Sequence, residues 1–377
     1  PEVSNAGAGL EQVIFRAVSQ AAEVSGETHG FVRLRAAMDQ DSNGTPDSWT
    51  VSPPWCWRRQ TYAAGEPHAV VMPLVLLEVY AGPVQALSAS TLQPTLAVGE
   101  DLTAKLLLGR SYFIEVISGA AEGGRWEVDE AATTSTVLAV DLAAALNTEP
   151  TLPDLSDAVV LLRPHMRLAD LAVPQRFQAN TRRSNADRVM RFEPGSGSFT
   201  EFYLYGTGAE GYWVLADDEN LISQDAAIIA PGQGAFVQAR STPTSTGLAG
   251  RVRLNDFRLS LNAGSNLVGT GWPLNESLAN IGATSAVGFR GSNRQGQADR
   301  FRLWERGLGT GTSSYTGGYL FKTASEEKWV FDGDASLTDQ GQTGLLVAFE
   351  AFFLTSATGI TSWRQPAPEG IEFLAAP

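Results

Sequence analysis

A stretch in the middle of this chain is repeated near its end. Three short matches define the two copies: residues 185–188 with 297–300, 212–214 with 328–330, and 235–237 with 351–353. Asp187 recurs as Asp299, 112 positions later, whereas Trp213 recurs as Trp329, 116 positions later. A repeat of this length is a whole structural unit rather than one turn of a solenoid. The chain is therefore expected to contain two similar folded units.

The composition favours β structure for these units. The 377 residues include 38 glycines and 19 prolines, which suits many turns, and aromatic and β-branched residues are plentiful. Short apolar stretches such as 31–35, 112–117 and 136–140 are separated by turn-forming residues. The chain is also too long for a single ordinary core. We predict a mainly β protein of tandem sandwich-like or barrel-like domains, with the repeat in its C-terminal half and an N-terminal arm.

Prolines and a polar connector suggest where the chain divides. Pro153, Pro164 and Pro174 punctuate one region, and a polar stretch at 241–247 follows the first copy. The predicted segments are an N-terminal arm (1–26), an N-terminal β domain (27–165), a first repeat unit (166–245) and a second repeat unit with a C-terminal tail (246–377).

Apolar residues in the arm recur at spacings that fit either a helix or a strand. Leu10, Val13 and Ile14 fall at helical spacing, whereas Val13, Phe15 and Ala17 alternate as they would in a strand. Both alternatives stay open, and the arm either packs on its own domain or docks on a neighbouring subunit. The candidate subunit-contact residues are Leu10, Val13, Ile14, Phe15, Ala17 and Val18.

The chain is acidic, with a formal net charge of −14 and an isoelectric point of about 4.7. Such a surface repels nucleic acid and anionic lipid heads, so neither is expected as a partner. No apolar run reaches the ~18 residues of a transmembrane helix. The single cysteine, Cys56, cannot form an intrachain disulfide, and its neighbours Trp55 and Trp57 indicate a buried thiol.

One acidic segment has the spacing of a calcium-binding loop. Oxygen-bearing side chains occur at its first, third, fifth and ninth positions, and Gly44 at the sixth permits a sharp turn. The twelfth position is Thr50 rather than a bidentate glutamate, which lowers the expected affinity. An Asx-rich turn without a metal is the alternative. The candidate Ca²⁺ ligands are Asp39, Asp41, Asn43, Thr45 and Asp47.

The sequence lacks a recognisable catalytic constellation. His29, His68 and His165 do not occur at zinc-ligand spacing, and neither a nucleophile elbow nor a phosphate-binding glycine loop is present. The 41 acidic residues make chance carboxylate pairs unavoidable, so they do not by themselves indicate a glycosidase. We therefore predict that the protein is not an enzyme.

Aromatic residues are concentrated in the repeats. Rings that face outward from a strand would be able to stack on sugar faces, and the candidate glycan contacts are Tyr212, Trp213 and Trp329. The alternative is that these rings form cross-strand pairs and fill the core. Sequence alone leaves both alternatives open.

Several short segments together resemble an uncharacterised family of secreted proteins from Verrucomicrobia-type bacteria. The markers are 30–32, 112–116 with Ser118-Gly119, Arg163-Pro164, 186–188, 231–237 and 264–273. The resemblance covers roughly residues 30–355 and implies export, a β-rich fold and a surface role, but no activity. This chain differs from the family by its N-terminal arm. It also has Phe349-Glu350-Ala351 where the first copy has Gln233-Gly234-Ala235, so we expect a differently built turn there.

Two functions fit these observations. The first is an extracellular structural subunit that assembles with copies of itself into a filament, sheath or surface layer, through its arm and through open β edges. The second is a secreted adhesin or carbohydrate-binding module that binds surface polysaccharide through the repeat aromatics. Both place the protein outside the cell or at its surface.

Overall fold

The structure, a computed structural model, describes residues 54–107, 109–207, 210–305 and 314–368, together with the backbone of strands at 12–18, 29–38 and 48–51. The fold is mainly β, as predicted. Its strands are β1 (Gln12–Val18), β2 (His29–Met38), β3 (Ser48–Val51), β4 (Trp55–Tyr62), β5 (Pro67–Val71), β6 (Tyr80–Ala86), β7 (Thr91–Pro94), β8 (Tyr112–Val116), β9 (Arg125–Glu127), β10 (Leu138–Ala139), β11 (Val159–Pro164), β12 (Met166–Arg167), β13 (Arg188–Glu193), β14 (Ser198–Thr207), β15 (Glu210–Leu215), β16 (Ile228–Ile229), β17 (Gly234–Gln238), β18 (Thr244–Arg251), β19 (Phe257–Leu261), β20 (Gly264–Val268), β21 (Arg300–Glu305), β22 (Ser314–Lys322), β23 (Glu327–Phe331), β24 (Phe352–Ser356) and β25 (Ile360–Gln365).

Helical structure in the described residues is confined to single turns. The short α-helices are α1 (Leu102–Lys105) and α2 (Leu168–Leu171), and 3₁₀ turns occur at Pro174–Arg176, Arg183–Asn185, Ser285–Val287 and Gln295–Gln297. Asp101 caps α1 by accepting a hydrogen bond from the backbone N–H of Thr103.

The two copies of the repeat form two five-stranded antiparallel sheets of the same topology. The first has the order β15-β14-β13-β17-β5, and the second has the order β23-β22-β21-β24-β20. The registers also agree, because Arg188 lies opposite Tyr203 in the first copy as Arg300 lies opposite Tyr319 in the second. The repeat read from the sequence is therefore a repeat of structure, but its third match is shifted by one residue. Met190 lies opposite Phe236 and Arg302 opposite Phe353, so Phe236 corresponds to Phe353 rather than to Phe352.

The copies are joined by a reciprocal exchange of backbone hydrogen bonds. The carbonyl of Gly232 in the first copy accepts from the N–H of Gly269, which follows β20. The carbonyl of Phe349 in the second copy accepts in the same way from the N–H of Val71, which ends β5. This exchange relates the copies by an approximate two-fold axis.

The turns that precede β17 and β24 are built alike, whereas we expected them to differ. In the first copy the N–H of Gln233 donates to the carbonyl of Ala230, and in the second the N–H of Glu350 donates to that of Val347. The residue before the donor has a positive φ in both cases, 78° at Gly232 and 66° at Phe349. The same turn is therefore built with phenylalanine in a conformation that favours glycine.

A separate six-stranded barrel is inserted into the first copy, between β5 and β12. Its sheet has the order β10-β7-β6-β11-β8-β9. Val128 and Val140 form a bridge between the two end strands, so the sheet closes on itself. Its core contains Tyr112, Trp126 and Leu162, all fully buried. Closure removes the open edges that a small sheet would otherwise expose.

This insertion shifts the predicted domain boundaries. Strand β5 lies in the segment 27–165, which we assigned to an N-terminal domain, yet it is the fifth strand of the first copy's sheet. The first copy therefore begins before the barrel and continues after it. The predicted boundary is wrong because β5 and its partner β17 are far apart in sequence, and their pairing leaves no local pattern in the sequence.

The arm contains a strand that pairs with its own chain. In β1, Val13 lies opposite Ala36 and Phe15 opposite Leu34 of β2, which decides the strand alternative. Candidates Val13, Ile14, Phe15, Ala17 and Val18 are on β1, whereas Leu10 lies outside the described residues. The sheet continues as β1-β2-β4-β18, so β1 is its terminal strand.

Candidate functional site

Six aromatic side chains form a cluster where the two copies meet, which we call the seam. Phe192, Phe199 and Phe236 come from the first copy, and Trp304, Tyr315 and Phe353 occupy the corresponding positions of the second. The ring centroids of Phe199 and Phe192 are 5.2 Å apart, and those of Tyr315 and Trp304 are 4.8 Å apart. Three further contacts cross between the copies: Phe192 with Phe353 at 5.3 Å, Phe236 with Trp304 at 5.4 Å and Phe236 with Phe353 at 6.3 Å.

The cluster has a buried centre and two exposed ends. Phe192 and Phe236 are each only 4% exposed. Phe199 and Tyr315 in contrast are 44% and 47% exposed. The central rings hold the copies together, whereas each end ring presents about half of its surface to solvent without being required to fill the core. Exposed aromatic surface beside a concavity is typical of binding sites.

A groove of about 380 Å³ opens at one end of the seam, and we call it the seam groove. Its aromatic walls are Phe192, Tyr315 and Phe353. Turn residues complete it: 194–197, which joins β13 to β14, and 263–265, which leads into β20. A side chain added at Gly195 or Gly264 would meet no atom within 4 Å, so both glycines leave the groove open.

A few polar groups line the same groove. Arg302 is exposed on β21, between Gly317 of β22 and Phe353 of β24. Ser196 and Ser265 also line the groove with their hydroxyls. Burial raises the pKa of the Tyr315 phenol, and the charge of Arg302 partly opposes this shift. The Tyr315 phenol therefore stays protonated at neutral pH. The groove thus combines aromatic walls with one cation and several hydroxyls.

The described residues at the other end of the seam leave a cavity of only about 10 Å³, lined by Gln60, His68, Ala69, Trp304 and Glu350. Trp304 is larger than its counterpart Phe192, and its indole N–H donates to the carbonyl of Pro67 at 2.9 Å. The two-fold relation between the copies is therefore not exact at this pair of residues.

Two of the predicted glycan contacts are core residues. Trp213 is 0% exposed and Trp329 is 2% exposed. Their indole N–H groups donate to the carbonyls of Ala172 and Ala283, each at 2.7 Å. The prediction that these rings bind sugar is therefore wrong, because both rings point into the core. Tyr212 is half-buried at 5.8 Å from Tyr205, and its role stays a prediction.

The predicted calcium loop lies outside the described residues, as do its ligands Asp39, Asp41, Asn43, Thr45 and Asp47. Elsewhere, the described part of the chain contains no group of three or more His, Cys, Asp or Glu side chains that would hold a metal. The calcium prediction is therefore neither confirmed nor contradicted.

A buried ionic cluster joins the barrel to the second copy. Glu115 is fully buried and accepts from Arg163 at 3.0 Å and from Arg253. Arg253 also donates to the carbonyl of Gly271 at 3.0 Å, and Arg163 contacts Glu78 at 3.0 Å. Burial alone would raise the pKa of Glu115, but Arg253 and Arg163 lower it to about 2. Because the opposite charges neutralise one another, we interpret this cluster as structural.

Sequence reasoning missed most of the groove. The predicted glycan contacts were Tyr212, Trp213 and Trp329, and none of these lines the groove. The available signal was the repeat itself, since aligning the copies places Phe192 at the position of Trp304 and Phe199 at that of Tyr315. Which of these rings meet across the seam depends on how the copies pack.

Comparison with known proteins leaves the groove to be interpreted from its own chemistry. No protein-family model matches the chain, and neither a curated protein nor a solved structure matches it. The resemblance to a secreted bacterial family therefore stays an expectation. Among the described residues, none of the helices has the length and apolar character needed to span a bilayer.

Proposed function

We propose that this chain is a secreted adhesin or carbohydrate-binding protein that holds a polysaccharide in the seam groove. The observation that carries the proposal is the groove itself, about 380 Å³, walled by Phe192, Tyr315 and Phe353. Sugar rings have apolar C–H faces that pack against aromatic rings, and hydroxyls that need a few polar partners. A concave site with aromatic walls and few polar groups meets both needs.

Turns line the groove together with the aromatic rings. Residues 195–197 of the β13–β14 turn and 263–264 of the turn before β20 are exposed. A polysaccharide would therefore be able to reach the aromatic walls from the solvent.

The test is retention of the protein by polysaccharides in affinity electrophoresis, for the unmodified chain and for Tyr315→Ala. We expect Tyr315→Ala to weaken binding about tenfold, because loss of an aromatic contact removes ~1.4 kcal/mol. Trp57→Ala is the matched control, since Trp57 is 46% exposed, as Tyr315 is 47% exposed, and does not line the groove. Tyr212→Ala tests the remaining predicted contact.

Unchanged affinity in Tyr315→Ala, with loss of binding in Tyr212→Ala, would move the site to the Tyr205–Tyr212 surface. Failure of the unmodified chain to bind any polysaccharide of a broad panel would overturn the proposal. Circular dichroism of each variant shows whether the fold has been kept.

A second candidate is the self-assembling subunit, and the position of β1 favours it. β1 ends the sheet β1-β2-β4-β18, and none of the described strands pairs with its other edge, so we infer that this edge accepts a strand from a second copy. The edges of the repeat sheets are less available, because Gln224 and Gln340 donate backbone hydrogen bonds to Trp213 and Trp329 of β15 and β23.

Electron microscopy of the full chain and of a chain without residues 1–26 tests this candidate. We expect polymers from the full chain only, and folded monomers from the shortened chain. Polymers of normal appearance from the shortened chain would exclude assembly through the arm. Repeating the experiment with a calcium chelator tests whether the loop at 39–47 contributes.

A further inference from the structure

We infer that the seam groove selects polysaccharides that carry carboxylates, the uronic acid polymers, and that Arg302 binds the carboxylate. This inference rests on the proposed function and names the class of sugar. Arg302 lines the groove beside Tyr315 and is exposed. A guanidinium group presents its N–H donors as a planar fork, which matches a carboxylate better than it matches a neutral hydroxyl.

Arg302 forms no ion pair with another described residue. Other arginines of the two repeat sheets are paired there: Arg191 with Glu193 at 2.8 Å, Arg188 with Glu201 at 3.1 Å, and Arg300 with Asp332. Arg302 has no carboxylate within ion-pair distance in the same part of the chain. An unpaired cation in an aromatic groove favours an anionic ligand.

Comparison of the two copies shows why Arg302 lacks a partner. The corresponding residue of the first copy is Met190, which packs against the apolar cluster at the seam. Met190 lies opposite Glu201 on the neighbouring strand, whereas Arg302 lies opposite Gly317. The second copy thus has a cation where the first has an apolar side chain, and a glycine where the first has a carboxylate. The carboxylate of Asp332 approaches Gly317, but it is paired with Arg300.

The fold itself does not require a cation at this position. Since methionine occupies the same site of an equivalent sheet, the strand pairing and the seam form without a charge there. Arg302 also lines the seam groove, where a bound ligand would contact it. Its position therefore points to a ligand rather than to stability.

The overall charge of −14 restricts the ligand further. At physiological ionic strength, charges separated by more than about 8 Å are largely screened, so one guanidinium in contact with one carboxylate outweighs distant repulsion. A densely sulfated polymer would instead bring many charges close to the acidic surface. We therefore expect uronate polymers to bind better than dextran sulfate.

The experiment compares polygalacturonate with its fully methyl-esterified form, which has the same backbone without the charge. Affinity electrophoresis is run on the unmodified chain, Arg302→Met, Arg182→Met and Tyr315→Ala. Arg302→Met installs the residue of the first copy. Arg182→Met is the control, because it removes the same charge from an exposed loop that does not line the groove.

We expect the unmodified chain to bind the acid polymer at least about tenfold more tightly than the ester. Arg302→Met should lower the affinity for the acid polymer to that for the ester. Arg182→Met should leave the ratio of the two affinities unchanged. Tyr315→Ala should weaken binding of both polymers.

Equal binding of the acid polymer and the ester, or an unchanged ratio in Arg302→Met, would overturn the inference. So would binding of dextran sulfate as tight as that of polygalacturonate. If neutral polysaccharides are retained by the unmodified chain but not by Tyr315→Ala, the proposed function stands and only the inference about carboxylates fails. If the chain binds no polysaccharide at all, both the proposed function and this inference are wrong.

Discussion

Cys56 shows how the environment of a single residue determines its chemistry. It lies on β4, whose side chains alternate between the core and the solvent, so Cys56 faces inward and Trp57 faces outward. Burial raises the pKa of the Cys56 thiol to about 12, with Arg58 opposing the shift. A thiol that remains protonated is neither a nucleophile nor a metal ligand at neutral pH. The prediction from sequence that Cys56 is buried is confirmed.

We expect Cys56 to react with a disulfide reagent such as DTNB about 1,000-fold more slowly in the folded protein than in denaturant at pH 8. The reason is the smaller fraction of thiolate, since each pKa unit lowers that fraction tenfold. Absorbance of the released thiolate measures the rate. Fast reaction in the absence of denaturant would contradict burial of the thiol.

The turns before β17 and β24 show how an element can repeat while its sequence does not. Gly232 and Phe349 hold the same position with φ of 78° and 66°. Phe349 is 1% exposed, so burial of its ring offsets the strain of the left-handed conformation. The sequence suggested different turns because glycine usually marks this geometry and the second copy has phenylalanine there. Packing of the Phe349 ring in the core stabilises the same turn without a glycine.

We expect Gly232→Ala to destabilise the protein more than Gly333→Ala does. Both glycines have φ of 78°, so alanine adds about 1–2 kcal/mol of backbone strain at either position. Only at Gly232 would the new Cβ also meet Phe257, at 2.7 Å, whereas nothing lies within 4 Å of it at Gly333. Overpacking there adds about 1–3 kcal/mol.

Urea unfolding of the two variants measures this difference in free energy. Equal losses would show that the core around Phe257 yields to the added methyl group, and that backbone strain alone decides the effect. A larger loss in Gly333→Ala would contradict the expected order.

At the scale of the molecule, the buried cluster around Glu115 joins the barrel to the repeats. Glu115 and Arg163 belong to the barrel, whereas Arg253 belongs to the second copy. Arg253 and Arg125 both lie 4.5 Å from the centre of the Phe257 ring, one guanidinium from each part. These contacts fix how the barrel sits on the repeats, which no segment of the sequence indicates by itself.

We expect Glu115→Gln to lower the free energy of unfolding by about 3–5 kcal/mol, because it leaves buried arginines without their counter-charge. The pKa of Glu115 in the folded protein, about 2, is below its ordinary value of 4.5. Its contribution is therefore fully present above pH 4.5 and is lost as the pH falls from 4.5 towards 2.

Urea unfolding at pH 7, 4 and 3 tests this prediction. The difference between the unmodified chain and Glu115→Gln should be largest at pH 7 and should shrink at pH 3. A difference that is constant over this range would show that the carboxylate charge is not what stabilises the contact.

The sequence by itself determined the β-rich fold and the duplication, because strand-forming stretches, turns and an internal repeat are all visible along the chain. Only the tertiary structure decided that the barrel is inserted into the first copy, that Trp213 and Trp329 point inward, and that Arg302 lines a groove. The physical reason is that these features arise from contacts between residues far apart in sequence. Pairing of β5 with β17 and packing of one copy on the other create the seam, and neither leaves a local pattern.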